Sequence, residues 1–380
     1  MSQIIEKIAA EIGAQGAIPF ARFMELALYC PDCGFYEKEK DNVGKGGDFF
    51  TSVSVGELFG QLLAFQFSDW FEGKDETRPR QSGWPRRIES EAGTPLKIVE
   101  AGAHDGRLAR DLLSWFQAQR PAVFRQLEYC VVEPSVRRQA WQQRTLSGFE
   151  KRVKWVSAIG ELKPALESSE AVIFSNELLD AMPVHRLGWD AQEKKWFEWG
   201  VSSDSGKLVW SRLPAKSDHV SRFTAHEPLF DLLPDGYTVE ISPAAEKWWR
   251  TAAEVFAHGR LMTIDYGFTS DEQFSPSRID GTLRAYRRHR VTNDILADPG
   301  EQDLTAHVDF SAMQLIGEAA GLRTETFCSQ TQYLTRIVEK IFKQPGSFAE
   351  WSPKQSRQIQ TLTHPDHLGR AFRVLVQSRK

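Results

Sequence analysis

From residue 97 onward, short apolar runs alternate with segments whose apolar positions recur at helical spacing. The runs at 97–101, 127–133, 153–156 and 171–175 read as strands, and 107–119 and 134–146 between them read as helices. Strands alternating with helices imply a parallel sheet covered on both faces. After Pro183 the period changes to two. "KKWFEWGVS" and "GKLVWSRL" alternate apolar and polar positions around "SDSG", which is a β-hairpin signal. The earlier rhythm resumes with "SPAAEKWWRTAAEVFAHG", where Ser242 can cap a helix and Pro243 suits its first position. The strand "RLMTIDYG" follows, then a long polar segment over 268–307. A helix in "DFSAMQLIGEAAG", a strand in "LRTETFC", a further helical stretch and a last strand in "AFRVLVQ" complete the pattern. The main sheet is therefore expected to hold about seven strands.

Ahead of this region, Ile4, Ile5, Ile8 and Ile12, and then Phe23, Leu26 and Leu28, mark two helices, the second opened by Pro19. Residues 55–71 read as a strong third helix. The stretch 72–95 is polar, with proline and glycine, and reads as an exposed, mobile loop. The expected layout is an N-terminal helical or lid region, 1–95, followed by one α/β domain, 96–380. Substrate-side insertions are expected at about 184–240, where the chain is antiparallel, and at 268–307.

Composition adds exclusions. The 380 residues hold 41% hydrophobic and 26% charged positions, the balance of an ordinary folded protein. A net charge of −4 gives no reason to expect nucleic acid or an anionic membrane as partner. No apolar run reaches the roughly 18 residues of a transmembrane helix. Glu6 and Glu11 fit neither a signal nor a transit peptide, so a cytoplasmic location is expected. Cys30 and Cys33 form a CxxC, but it follows a helix and runs into a glycine turn, whereas a redox motif follows a strand and opens a helix. Cys130 and Cys328 offer no second half of a zinc site. The pair is read as two reduced thiols in a turn, and no metal site is expected.

Candidate chemistry gathers at the strand ends, beyond which open α/β sheets bind ligands. The first strand runs into "EAGAHDG", Glu100 to Gly106. A dinucleotide loop needs glycine at its first, third and sixth positions, so that the backbone can approach a pyrophosphate. Here those positions are Gly102, His104 and Arg107. S-adenosyl-L-methionine has no pyrophosphate, and its methionine tail requires mainly the first glycine. Glu100, Gly102 and Gly106 are therefore read as an ExGxxxG cofactor loop, with His104 on its outer side. The second strand ends in "VVEP", where Glu133 can accept both hydroxyls of a ribose, in NAD or in S-adenosylmethionine alike. After the fourth strand, "NELLDAMP" brings Asn176, Glu177 and Asp180 next to the first strand, where a methyl acceptor would be held. Pro183 limits any helix there to one turn.

These residues resemble the MidA family of S-adenosylmethionine-dependent methyltransferases, which includes the mitochondrial complex I assembly methyltransferase. The blocks "FMELALYCPDCGFY", "GDFFTSVSVGELFGQLLA", "IVEAGAHDGRLARDLL", "VVEPSVRRQAWQQ", "FSNELLDAMPVHRL", "VEISPAAEKW", "TIDYGF", "GTLRAYRRHR" and "DLTAHVDFSAM" carry the resemblance, in order, over residues 20–320. It implies a class I, Rossmann-like, seven-stranded methyltransferase fold with an N-terminal helical extension and an antiparallel β insertion. It implies S-adenosyl-L-methionine as methyl donor and, as for the mitochondrial relative, a protein arginine side chain as acceptor. By position the cofactor loop falls on Glu100, Gly102 and Gly106, the ribose acid on Glu133, and the Asn-Glu…Asp motif on Asn176, Glu177 and Asp180. The chain departs from the family in two places. Ala103-His104 stands where the family often has Pro-Gly, and "TSVSVG" stands where it usually has "TSPEIS", which removes a glutamate. Asp48 remains, with Thr51 and Ser52 expected to contact the cofactor's methionine end.

Glu177 and Asp180 form a carboxylate pair able to grip a guanidinium fork. His289 and His307 are candidate proton acceptors for a less basic substrate such as a hydroxyl, although a lone histidine is more often structural. "YRRHR" reads as a solvated or substrate loop, since the chain is acidic overall. Three functions stay open: methylation of a protein side chain, methylation of a small metabolite at oxygen or nitrogen, and a non-catalytic assembly factor in which His104 crowds the cofactor. Trp189, Trp196, Trp199 and Trp210 keep the second in view. A homodimer is compatible with all three.

Overall fold

A computed structural model of the chain describes residues 3–38, 51–73, 94–275, 278–287, 290–292, 294–369 and 371–379. Asp48, His289 and most of the expected loop 72–95 lie outside the described residues. The chain divides into two compact units, neither continuous in sequence. One comprises Phe50–Leu178, Trp249–Asp265 and Gln314–Lys380, the other Met1–Phe49, Leu179–Trp248 and Tyr266–Met313.

The first unit is built on a sheet of β1 (Leu96–Ala101), β2 (Leu127–Val132), β3 (Val153–Val156), β4 (Glu170–Asn176), β5 (His258–Phe268), β6 (Arg323–Ser329) and β7 (Phe372–Arg379). Their order across the sheet is β3-β2-β1-β4-β5-β7-β6. Neighbours from β3 to β5 pair in parallel, and β6 runs antiparallel to β7. This is the seven-stranded class I methyltransferase arrangement that the resemblance implies. Strand order reverses between β1 and β4, so their carboxyl ends form the switch point where such sheets bind ligands. Every residue of β1 is buried, as a parallel sheet covered on both faces requires.

The helix Leu58–Phe71 is buried almost all round. Phe67 packs on Phe174 of β4 with ring centroids 5.3 Å apart. A Cβ at Gly60 would stand 2.8 Å from the Cβ of Asp111, on the helix Arg107–Gln119. This close packing makes the helix part of the sheet unit, and the division falls at residues 49/50, ahead of the expected boundary at 95/96.

The second unit contains an antiparallel sheet ordered Ile18–Pro19, Lys195–Asp204, His185–Asp190, Thr238–Ile241, with Lys207–Pro214 also paired to Lys195–Asp204. A two-residue turn closes the hairpin, with Asp204 opposite Lys207, at the "SDSG" signal. Ile18 pairs with Val201, so the N-terminal segment belongs to this sheet. The helices Gln3–Gln15 and Phe20–Tyr29 bury Ile4, Ile8, Phe20 and Phe23 in one core with Val201 and Leu304. Trp189 and Trp196 fill a second core with Leu187, Phe223 and Tyr237.

The segment 268–307 holds more than a polar loop. Arg284–Arg287, Arg290–Thr292 and Asp303–Thr305 form a small antiparallel sheet, its strands too short to show alternation. The Cys30 and Cys33 sulfurs lie 3.0 Å apart as free thiols. Among the described residues no helix is long and apolar enough to cross a membrane.

Candidate active site

After β1 the chain turns through Gly102 (φ +77), His104 (φ +47) and Gly106 (φ +84). A Cβ at Gly102 would meet Leu178 at 3.0 and 3.2 Å, so both backbone conformation and space call for glycine. Gly106 caps the helix Arg107–Gln119 in the left-handed conformation, its N–H donating to the Ala103 carbonyl at 2.7 Å. Asp105 Oδ1 accepts from the Arg107 amide at 3.0 Å, and Oδ2 pairs with Arg107 Nε at 2.7 Å. Burial works against the Asp105 charge, yet His104 and Arg107 together hold its carboxyl below the ordinary value. The His104 ring packs against Trp141, centroids 5.4 Å apart.

Glu100 sits inside the sheet. It is 2% exposed, and its Oε2 accepts from the Tyr129 hydroxyl at 2.6 Å. Burial pushes its carboxyl up to about 8 against the opposing effect of that bond, so near neutral pH it is mostly protonated. Glu133 follows β2. Its Oε1 accepts from the Ser135 amide and its Oε2 from Gln142 Nε2, both at 3.0 Å. The same Gln142 nitrogen reaches the His104 carbonyl at 3.0 Å, and Gln142 Oε1 accepts from the Trp155 indole at 2.9 Å. One buried amide thus ties the acid after β2 to the loop after β1.

Glu177, just past β4, adopts φ +53, which is uncommon for a residue with a long side chain. Its Oε1 accepts from the Ser52 amide at 3.3 Å and from Asn176 Nδ2 at 2.9 Å. The next residue, Leu178, is the one against Gly102, and its amide donates to Asp265 Oδ2 at 3.2 Å. Asn176 Oδ1 is buried with no hydrogen-bond partner. Such an acceptor costs about 1–3 kcal/mol and marks a place for a donor. Thr51 caps the helix Ser52–Val55 in a reciprocal capping box with Ser54. Ser52 Oγ donates to Gln330 at 3.0 Å. Thr51 and Ser52 therefore shape the segment whose amide meets Glu177.

No helix forms at 177–183. The chain makes a turn instead, with the Met182 amide donating to the Leu179 carbonyl at 3.2 Å, because the left-handed backbone of Glu177 interrupts helical geometry.

Asp180 belongs to the second unit, where it is buried and its carbonyl accepts from the Ala306 amide at 2.9 Å. In the same unit the Tyr36 hydroxyl donates to Asp303 at 2.7 Å. Burial first, and then the charges of Asp303 and Asp180 among others, push the Tyr36 phenol up. Burial likewise raises Tyr286 against the influence of Arg284, with Asp180 and Asp303 adding to the rise. His307 stacks on Tyr266 at 6.3 Å, and its Nδ1 is buried without a hydrogen-bond partner. Burial, then Arg278 and Arg284, push its imidazole down to about 4. That is too weakly basic for the proton-accepting role considered for it near neutral pH.

Sequence reasoning missed Gln142, Asp265 and Asp303. All three stand in blocks that carry the resemblance, "VVEPSVRRQAWQQ", "TIDYGF" and "DLTAHVDFSAM", so the signal was there although the role of each residue was not. Tested against S-adenosyl-L-methionine, the strand ends fit. A glycine is required beside Leu178, an acid stands after β2, and a buried acceptor on Asn176 lacks a donor.

Comparison with known proteins bears on the same point. Residues 79–328 match the family described as "Putative S-adenosyl-L-methionine-dependent methyltransferase". A Burkholderia thailandensis protein crystallised with S-adenosyl-homocysteine, the donor without its methyl group, is 31% identical. The match covers 99% of this chain and 92% of that one, with a TM-score of 0.81. "Protein arginine methyltransferase NDUFAF7 homolog, mitochondrial" from Drosophila melanogaster is 25% identical over 98% of this chain and 84% of its own length. The Xenopus tropicalis protein "Protein arginine methyltransferase NDUFAF7, mitochondrial" is 27% identical over 99% and 86%.

Proposed function

We propose that this chain, which belongs to the MidA family of S-adenosyl-L-methionine-dependent methyltransferases, methylates an arginine side chain of a protein. The observation that carries the reading is Glu177, a carboxylate fixed by the Ser52 amide and the Asn176 side chain one residue from the leucine that packs on Gly102. The relatives named as protein arginine methyltransferases support the acceptor.

When bound, S-adenosyl-L-methionine supplies a methyl group already activated on a sulfonium. Gly102, Gly106 and Glu133 would hold it, together with the unpartnered oxygen of Asn176. The remaining work is alignment of the acceptor. A guanidinium is charged at any physiological pH and its lone pair is delocalised. Its attacking nitrogen passes a proton to solvent water as the new bond to carbon forms. Glu177 would grip the other nitrogens by charge-assisted hydrogen bonds. That grip draws the positive charge away from the attacking nitrogen and fixes its direction.

Mass spectrometry of the proteome, from cells with and without this chain, tests the acceptor. A methylarginine site present only with the chain is expected. An unchanged set of methylarginines beside a changed methylated metabolite would overturn the reading in favour of a small-molecule acceptor.

A further inference from the structure

Three side chains of the second unit that methyl transfer does not use converge on one face of its antiparallel sheet. His185 lies on the strand His185–Asp190, Glu198 on Lys195–Asp204, and His219 in the short helix Ser217–Val220. Leu187 stands opposite Glu198, so His185, two residues before it, shares Glu198's face. Trp189 and Trp196 lie on that face too, and His219 comes from the segment that packs Phe223 over them.

His185 Nδ1 lies 2.5 Å from Glu198 Oε1, and His219 Nδ1 lies 3.9 Å from Glu198 Oε2. The two imidazole centroids are 4.4 Å apart, and one ligand atom from each of the three residues lies within 4.8 Å of the others. Side-chain exposure is 2% for Glu198, 5% for His219 and 17% for His185. His219 Nδ1 is buried without a hydrogen-bond partner. Buried polar atoms are rarely left so, and this one is turned towards a carboxylate.

We propose that His185, Glu198 and His219 form a binding site for one divalent transition-metal ion, zinc by ligand chemistry, which fastens the segment 217–232 to the sheet. Two imidazole nitrogens and one carboxylate oxygen are a known zinc ligand set. Calcium and magnesium prefer shells made of oxygen alone, so the two imidazoles select against them. Bonds of about 2.0–2.1 Å place tetrahedral ligand atoms about 3.3 Å apart. The three ligand atoms, now within 4.8 Å of one another, therefore draw in around the ion by up to about 1.5 Å, while the His185–Glu198 contact opens. Water on the exposed side of His185 completes the shell. The ion is structural in this arrangement, because its ligands join two strands of the sheet to the segment 217–232.

The full chain, stripped with a chelator and dialysed, is titrated with Zn²⁺ by calorimetry and with Co²⁺ for its visible spectrum. The expected result is one bound equivalent, with the intense visible bands of a four-coordinate cobalt ion. Both are lost in Glu198→Gln and in His219→Ala, while each variant keeps the wild-type circular dichroism and a cooperative melt and so is folded. If His219→Ala does not fold, His219→Gln takes its place. Zn²⁺ should also raise the melting temperature of the wild-type chain by several degrees and leave that of Glu198→Gln unmoved. The proposal is overturned if the wild-type chain binds no equivalent, which leaves a His–Glu–His hydrogen-bond group. It is overturned equally if the equivalent persists in both variants, which assigns the ion elsewhere, Cys30 and Cys33 included.

Discussion

Both units bury carboxylates, and they hold them in different ways. At the switch point of the sheet unit the backbone does the placing. The amides of Ser52, Ser135 and Leu178 donate to Glu177, Glu133 and Asp265, and Gly102, His104, Gly106 and Glu177 all take positive φ. In the second unit side chains take a larger share, beside amides such as that of Thr282 on Glu240. Asp303 takes a tyrosine hydroxyl, Glu198 faces an imidazole, and Glu240 takes the Arg186 guanidinium at 3.1 Å. Amides fixed by strand ends are oriented before a ligand arrives, which is the requirement for binding and transition-state stabilisation. Side chains that satisfy one another inside a core fix the packing of strands instead. Damage to the first region should therefore fall mainly on ligand affinity, and damage to the second mainly on stability.

The largest effect is expected at Gly102. Gly102→Val meets Leu178 and takes on a left-handed backbone, so affinity for S-adenosyl-homocysteine should drop beyond calorimetric detection. Ordinary affinity in that variant would break the contrast on its first side. On the second side, Glu240→Ala leaves Arg186 and the Thr282 amide, now 2.8 Å from the carboxylate, without their acceptor. Urea melts should show a loss of about 3–5 kcal/mol, while the folded fraction keeps its cofactor affinity.

Glu100 sharpens the comparison, being a carboxyl of the sheet unit held by a side chain. Its folded value of about 8 lies above the ordinary 4.5, so the folded state binds a proton that the unfolded chain releases between those values. Its contribution to stability is whole below pH 4.5 and is lost as pH rises towards 8. Glu100→Gln should remove that slope and be more stable at pH 8 by about 2–4 kcal/mol, with little difference at pH 4.5. His307, depressed from 6.5 to about 4, acts in the opposite sense: its contribution is whole above 6.5 and is lost as pH falls. It cancels in the comparison of wild type with variant. The smallest effect belongs to His104→Gly. The loop already has φ +47 there and the ring lies against Trp141, so cofactor affinity should stay within about threefold.

What could be read beforehand follows the same division. The strands of the main sheet, the loop around Gly102, Glu133 and the Asn176–Glu177 pair are local signals, each held within a few consecutive residues. The left-handed backbone of Glu177 was not readable, since nothing in a glutamate announces it. Tyr36 and Asp303 meet across 267 positions, and His185, Glu198 and His219 meet only once a hairpin and a helix have packed. The helix Leu58–Phe71 was readable as a helix, but not the sheet unit in which it is buried.

The most direct test of the account is methyl transfer by Glu177→Gln. Wild-type and variant chains are incubated with a protein extract and S-adenosyl-L-methionine labelled in its methyl group, and the labelled protein is hydrolysed for amino-acid analysis. The account predicts label in methylarginine with the wild type, and about 10²–10³-fold less with the variant at undiminished S-adenosyl-homocysteine affinity. Equal labelling by the variant, or label found in no arginine at all, would contradict it.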